Sequence, residues 1–493
     1  MKQAIQIHPT DTVAVALHAL SAGETVTLEG QTCPITTDIP AGHKFALRHM
    51  AAGEPVLKYG QPIGEATREI APGEHVHTHN LRTRLAGELR YAYTPVRTAL
   101  PPAMPRTFQG YVRRNGQVGV RNELWILPTV GCVNDVATAL ERRAQALLGG
   151  AVEQARAFPH PYGCSQMGDD QEATRDILAH LATHPNAGGV LMLGLGCENS
   201  GVEEIRKRMG TFDETRVRFL VAQEVADELE TSMALLRELA AAMANDRRVP
   251  VPAAKLVIGM KCGGSDGFSG LTANPLIGRF SDRLVAMGGS TILTEVPEMF
   301  GAETLLMARC ENEAVFEDTV ALINDFKRYY EEHHQTIYES PSPGNKAGGI
   351  STLEDKALGC TQKSGDAPVA AVLPYTGLLT QPGLNLLSAP GSDLVATTAV
   401  AAAGAQIVLF STGRGTPFGG PVPTLKIASN SGLAQKKGSW IDFDAGRLLE
   451  GETLDGLTDA LMELVLDTAS GRKAKNEENG YQGIAIFKTG VTL

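Results

Sequence analysis

Four cysteines stand beside glycine where an apolar, strand-like run stops. The runs end in Val130-Gly131-Cys132, Tyr162-Gly163-Cys164, Leu195-Gly196-Cys197-Glu198 and Lys261-Cys262-Gly263-Gly264. In an open α/β sheet, ligands bind outside the carboxyl ends of the strands, and glycine lets the backbone turn there and approach a ligand closely. The pattern therefore predicts four thiols on one rim of one sheet. Thiolates favour iron and other soft metals, so Cys132, Cys164, Cys197 and Cys262 are candidate ligands of an iron–sulfur cluster. The competing reading is four small buried hydrophobes, the usual state of free cysteine. Their spacings match no ferredoxin pattern.

A second group is imidazole-rich: Gly42-His43-Lys44 and Glu74-His75-Val76-His77-Thr78-His79-Asn80. On an extended segment alternate residues share a face, which puts His75, His77 and His79 together. Two neutral imidazoles with a carboxylate or thiolate suit Fe(II), Mn(II) or Zn(II). The expected ligands are His43, His77 and His79 with Cys197 or Glu198 from a strand end. Lys44 is the first candidate for acid or base, with His43 beside it, because burial near a metal lowers a lysine pKa into a catalytic range.

The third group suits an acidic, hydroxyl-rich ligand. Ser265 and Asp266 precede a helix start at Asn274, where free N–H groups attract carboxylates. Thr412-Gly413-Arg414-Gly415-Thr416 presents an arginine fork, the side chain best matched to a carboxylate, and Lys346 adds a cation. Asp266 joins Lys44 and His43 as a catalytic candidate; Ser265, Asn274, Lys346, Arg414 and Thr416 are candidate substrate contacts. Each glycine-rich loop is also readable as plain loop architecture.

These groups need a scaffold. Residues 1–95 read as a small β-rich unit of short alternating runs broken by glycine and proline. A proline-rich linker covers 96–109. From 110 strands alternate with helices, the pattern of a largely parallel sheet. Expected helices are 135–146, 170–182, 225–244, 274–287 and 311–332. Expected strands include 217–221, 291–294, 368–373, 406–410 and 484–487. One α/β domain spans 110–335, and a second, opened by the irregular stretch 340–349, spans 336–493.

The 493 residues, 20% charged and 43% hydrophobic, are ordinary for a globular chain. A net charge of −11 argues against nucleic-acid or anionic-membrane partners. No apolar run is long enough to span a bilayer, and seven scattered cysteines suit a reducing cytoplasm. A homo-oligomer is the general expectation for such an enzyme. Gly194-x-Gly196 lacks the third glycine of a dinucleotide fingerprint, and neither a P-loop nor a G-x-S-x-G elbow is present.

Several longer runs resemble the altronate dehydratase family: Gly119-Val120-Arg121-Asn122-Glu123-Leu124, Tyr162-Gly163-Cys164-Ser165-Gln166, Gly194-Leu195-Gly196-Cys197-Glu198-Asn199 and Cys262-Gly263-Gly264-Ser265-Asp266. So do Pro341-Ser342-Pro343-Gly344-Asn345-Lys346, Leu358-Gly359-Cys360-Thr361-Gln362-Lys363 and 410–417, with the likeness running from Gly42-His43-Lys44 to 487–491. The resemblance implies an N-terminal SAF domain joined to a two-part catalytic region shared with galactarate dehydratase and sulfolactate sulfo-lyase. It implies a hydro-lyase of hexuronate catabolism that converts D-altronate to 2-dehydro-3-deoxy-D-gluconate and is stimulated by Fe(II) or Mn(II). Galactarate is the alternative substrate. A sugar-acid-binding regulator is the non-enzymatic alternative. The chemistry expected is loss of the C2 proton, stabilisation of the enediolate by metal, and protonation of the departing C3 hydroxyl.

Overall fold

The computed structural model describes residues 2–28, 30–85, 87–337 and 340–490. The first unit is all β. Ala4–Ile5, Val13–Ala16, Lys44–Ala46 and His75–Val76 form one antiparallel sheet. Thr25–Leu28 pairs with Gln31–Pro34, and Pro55–Lys58, Gln61–Ala66 and Leu81–Arg82 form a third ladder. Strands this short close only a small core of their own. Part of their apolar surface, including Val56, Ile63 and Val76, is instead buried against Ala302, Ala357 and Leu358 far along the chain.

The proline-rich connection is no loose spacer. Tyr91 and Tyr93 donate to Glu303 and the Cys310 carbonyl, at 2.6 and 2.9 Å, and the Val96 N–H reaches the Ala308 carbonyl at 2.7 Å. It ends early, because Thr107–Val112 is already a strand, paired with Val249–Pro252.

Two parallel sheets follow. The first has four strands in the order Ala155–Ala157, Glu123–Pro128, Ala187–Gly194, Val217–Val221. The second has seven, in the order Val369–Leu373, Gly383–Leu387, Ser290–Leu293, Val257–Cys262, Ile407–Thr412, Thr424–Ala428, Phe443–Asp444. Central strands such as Ile407–Thr412 are buried on both faces and accordingly read as unbroken apolar runs.

This topology corrects three expectations. A division at residue 335 would split the seven-stranded sheet, whose strands begin at Val257. The β/α rhythm is the same on both sides, so the pattern carries no mark of where one sheet gives way to the next. The four cysteines do not share a rim: Cys132, Cys164 and Cys197 follow strands of the first sheet, and Cys262 ends a strand of the second. The segment 484–487 is no strand. Ile484 and Ile486 are buried, but the Ala485 and Phe487 N–H groups go to the Thr398 and Tyr375 hydroxyls. Its alternation reflects burial without a ladder.

Candidate functional site

In the seven-stranded sheet, the chain leaves Val257–Cys262 toward Ser290–Leu293 and later returns to its other side as Ile407–Thr412. The crevice between such diverging connections is where open α/β sheets bind ligands. Its two rims are stitched together: the Gly413 and Arg414 N–H groups both reach the Gly264 carbonyl at 3.0 Å. Ser265 lies here, almost fully buried, with its hydroxyl unpartnered among the described residues.

The 340–349 stretch crosses this crevice. Contrary to its irregular reading, it contains a helical turn, Pro343–Ala347, started by a Ser342/Asn345 capping box with proline in its first turn. The Asn345 amide donates to the Ser265 carbonyl at 2.8 Å, and the Gly267 N–H donates to the Gly348 carbonyl at 2.7 Å. The β unit closes from above. A Cβ on Gly267 would lie 1.9 Å from the Gly42 carbonyl, and one on Gly349 would lie 2.3 Å from the same oxygen. Only glycine permits three backbones to meet this closely.

That meeting sets His43 beside the crevice. His43 Nε2 lies 3.3 Å from the Ala347 carbonyl, and His43 Nδ1 lies 3.0 Å from His75 Nε2. Donation from Nε2 leaves the Nδ1 lone pair facing His75, an arrangement common for metal-binding histidine. One nitrogen each of His43, His75 and His77 falls within a 4.8 Å group. Burial lowers all three pKa values, that of His75 to about 4 and that of His77 to about 3, with the Lys44 charge the next cause for His77. The rings are therefore neutral at pH 7, as metal ligands must be. Nδ1 of His77 is buried without a partner among the described residues. The donor set fits a divalent ion.

This donor group differs from the expected ligand set. The chain turns at Thr78, so His79 is exposed, and His75 takes the place expected for it. Cys197 and Glu198 are not in the group. The Glu198 carboxylate instead accepts from Thr129 Oγ1 at 2.6 Å and from the Leu195 and Gly196 N–H groups.

Lys44 is fully buried. Its Nζ donates to the Gly349 carbonyl and to Asp355 Oδ2, both at 2.8 Å. Asp355 also takes Lys58 Nζ at 2.9 Å. Burial is the main cause that pushes Lys44 down to about 8, whereas two flanking lysines hold the Asp355 carboxyl far below its usual range. Asp355 is absent from the sequence expectations, and nothing local in Glu354-Asp355-Lys356 distinguishes it; His75 is on the expected histidine face but outside the expected ligand set.

The other candidates separate by what they touch. Arg414 is exposed and makes one long contact to the Gly344 carbonyl, 3.4 Å, and Lys346 is half-buried. Neither forms an ion pair among the described residues. Thr416 is half-buried on the same loop. Asn274 is spent internally, donating to the Gly359 carbonyl and accepting from Ser411 Oγ. Asp266 Oδ1 accepts from the Ser269 and Ser429 hydroxyls and the Phe268 and Ser269 N–H groups, and Oδ2 from the Asn430 amide at 3.1 Å, so the carboxylate fixes the loop. Cys262 bonds Cys360 Sγ at 3.5 Å and Glu298 Oε2 at 2.8 Å. Its thiol is pushed well up by the Cys360 bond and by burial.

A neutral histidine triad, a sealed lysine of lowered pKa and two unpaired cations around one crevice are the equipment of a hydro-lyase acting on an acid. The comparisons sharpen this. Residues 2–84 match the altronate/galactarate dehydratase SAF domain, 110–244 the D-galactarate dehydratase/altronate hydrolase second domain, and 253–492 the D-galactarate/altronate dehydratase C-terminal domain. Altronate dehydratase of Escherichia coli K12 is 53% identical over the whole of both chains, and that of Bacillus subtilis 168 is 52% identical, also over the whole of both. Galactarate dehydratase (L-threo-forming) of E. coli is 34% identical over 95% of this chain and 93% of its own. The chain belongs to the altronate/galactarate dehydratase family.

Proposed function

We propose that this chain dehydrates D-altronate to 2-dehydro-3-deoxy-D-gluconate in the crevice between Cys262 and Thr412, under the histidines of the SAF domain. The observation that carries the reading is the convergence of His43, His75 and His77 with the unpaired Lys346 and Arg414, in a chain similar over its full length to altronate dehydratases. His43, His75 and His77 would hold Fe(II) or Mn(II), which when bound supplies positive charge against the enediolate as it develops.

The chain's own residues do the rest. Arg414 binds the substrate carboxylate by its free fork, and Lys346 and Thr416 contact hydroxyls. Ser265 offers its unpartnered hydroxyl to the same ligand. Lys44, with its pKa near 8, accepts the C2 proton; Asp355 and the Gly349 carbonyl orient it. The C3 hydroxyl leaves with a proton as water, and the enol product tautomerises to the 2-keto acid. Anaerobic assay of purified protein on D-altronate, with Fe(II), Mn(II) or chelator, tests this. Metal-dependent release of 2-keto-3-deoxy acid, abolished in His77→Ala, is the expected result. Turnover of D-galactarate alone would overturn the substrate, and ligand binding without turnover would overturn the activity.

A further inference from the structure

The first sheet has a crevice of its own. From Glu123–Pro128 the chain goes to Ala155–Ala157 on one side, then crosses to Ala187–Gly194 on the other. That is the same diverging topology that marks a ligand site. Cys132, Cys164 and Cys197 occupy the loops after these three neighbouring strands. All three thiols are exposed, whereas Cys33, Cys262, Cys310 and Cys360 are buried.

The three loops are locked to one another. The Gly131 N–H reaches the Tyr162 carbonyl at 2.9 Å, the Ser200 N–H the Gly163 carbonyl at 3.0 Å, and the Ser165 N–H Asn199 Oδ1 at 3.2 Å. Gly163, at φ +103°, has no room for a Cβ, which would lie 2.0 Å from the Thr129 carbonyl. Beside these loops Gln166 Nε2 and Ser200 Oγ are buried without partners among the described residues, in residues 3% and 0% exposed.

Spacing chooses the ligand. A single tetrahedral ion with metal–sulfur bonds of ~2.3 Å needs sulfurs within about 4 Å of one another. These cysteines belong to no group of three ligand atoms within 4.8 Å. Neighbouring strands lie ~4.8 Å apart, so loops on three of them span roughly 10 Å, which suits several metal atoms bridged by sulfide. We propose that Cys132, Cys164 and Cys197 bind an iron–sulfur cluster in the second domain, separate from the histidine site. Three thiols lose their protons, and three thiolate–iron bonds form.

Three thiolates leave a fourth position, for which the exposed Asp135 carboxylate, on the helix that follows Cys132, competes with an oxygen from solution. Glu198 is consumed by Thr129 and two N–H groups. His160 uses Nε2 on the Pro128 carbonyl and Nδ1 on the Tyr162 N–H.

The test is anaerobic reconstitution of the full chain with sulfide and equal amounts of ferrous and ferric iron, so that the mixed-valence cluster forms without a net electron transfer, followed by visible absorption and assay of bound iron and acid-labile sulfide. The expected result is a sulfide-to-iron charge-transfer band with equal iron and sulfide. Cys132→Ser, Cys164→Ser and Cys197→Ser should each lose most of it while keeping the parent's circular dichroism. Cys33→Ser and His43→Ala should retain it, which separates this site from the histidine metal. Failure of the parent to bind sulfide, iron bound without sulfide, or an unchanged band in the triple Cys→Ser variant would each overturn the proposal.

Discussion

Asp355→Asn is the sharpest test of how the SAF domain is fastened over the crevice. Asp355 is fully buried between Lys44 at 2.8 Å and Lys58 at 2.9 Å, and it also accepts from the Ser351 N–H and hydroxyl. Asparagine preserves the shape but presents an N–H donor where one lysine needs an acceptor, and it removes the charge that both share. Breaking a buried ion pair on one side costs about 3–5 kcal/mol. A lysine of ordinary pKa ~10.4 that escapes by deprotonating at pH 7 limits its own share to about 4.6 kcal/mol. The loss should fall on the contact between domains, because both lysines belong to the β unit and Asp355 to helix Leu353–Cys360. Native-state hydrogen exchange of Lys44–Ala46 and Pro55–Lys58 reads it directly; amide opening should become more frequent by roughly 100- to 5,000-fold. Asp355's depressed pKa gives the parent a contribution present above the unfolded carboxyl value of ~3.9 and lost as pH falls below it. The variant should lack that acid dependence. Replacing all three residues by Met, Met and Leu should restore most of the protection, because apolar substitution of a complete buried ionic group is often neutral. A change below tenfold in Asp355→Asn would refute the view that this triad clamps the domain.

Three further outcomes follow from the same geometry. Arg414→Ala should lower kcat/KM by about 10- to 100-fold, the worth of a charge-assisted hydrogen bond of about 1.5–3 kcal/mol, with little change in melting temperature because the side chain is exposed. If Lys44 must be neutral to take the C2 proton, kcat/KM should rise with pH through about 8, and Lys44→Met should abolish that limb, as a pH–rate series would show. Gly267→Ala would force a methyl against the Gly42 carbonyl; the metal dissociation constant measured by titration should rise, and hydrogen exchange of Lys44–Ala46 should quicken.

What was legible in the sequence is what depends on local pattern. The parallel strands announced themselves as apolar runs ending in glycine, and the helix expected at 170–182 lies at Gly168–Ala182. His43 was also legible, and so was the pairing of histidines on alternate positions, until the turn at Thr78 broke the alternation and exchanged His79 for His75. What stayed hidden is pairing across distance. Asp355 looks like any helical carboxylate until 311 residues of chain bring Lys44 to it. Asp266 and Asn274 have the chemistry of ligand contacts, yet Asp266 Oδ1 is taken by Ser269 and Ser429 and the Asn274 amide by Ser411 and Gly359. A residue type states what a side chain can donate or accept; only the fold determines what remains unspent. By that criterion the proposed substrate contacts are Lys346, Arg414 and Ser265, whose charges and hydroxyl lack an ion-pair or hydrogen-bonding side-chain partner among the described residues. Asp266, which ties its loop to Ser429 and Asn430, and Asp355, which ties Lys44 and Lys58 to helix Leu353–Cys360, fix the elements that carry the site.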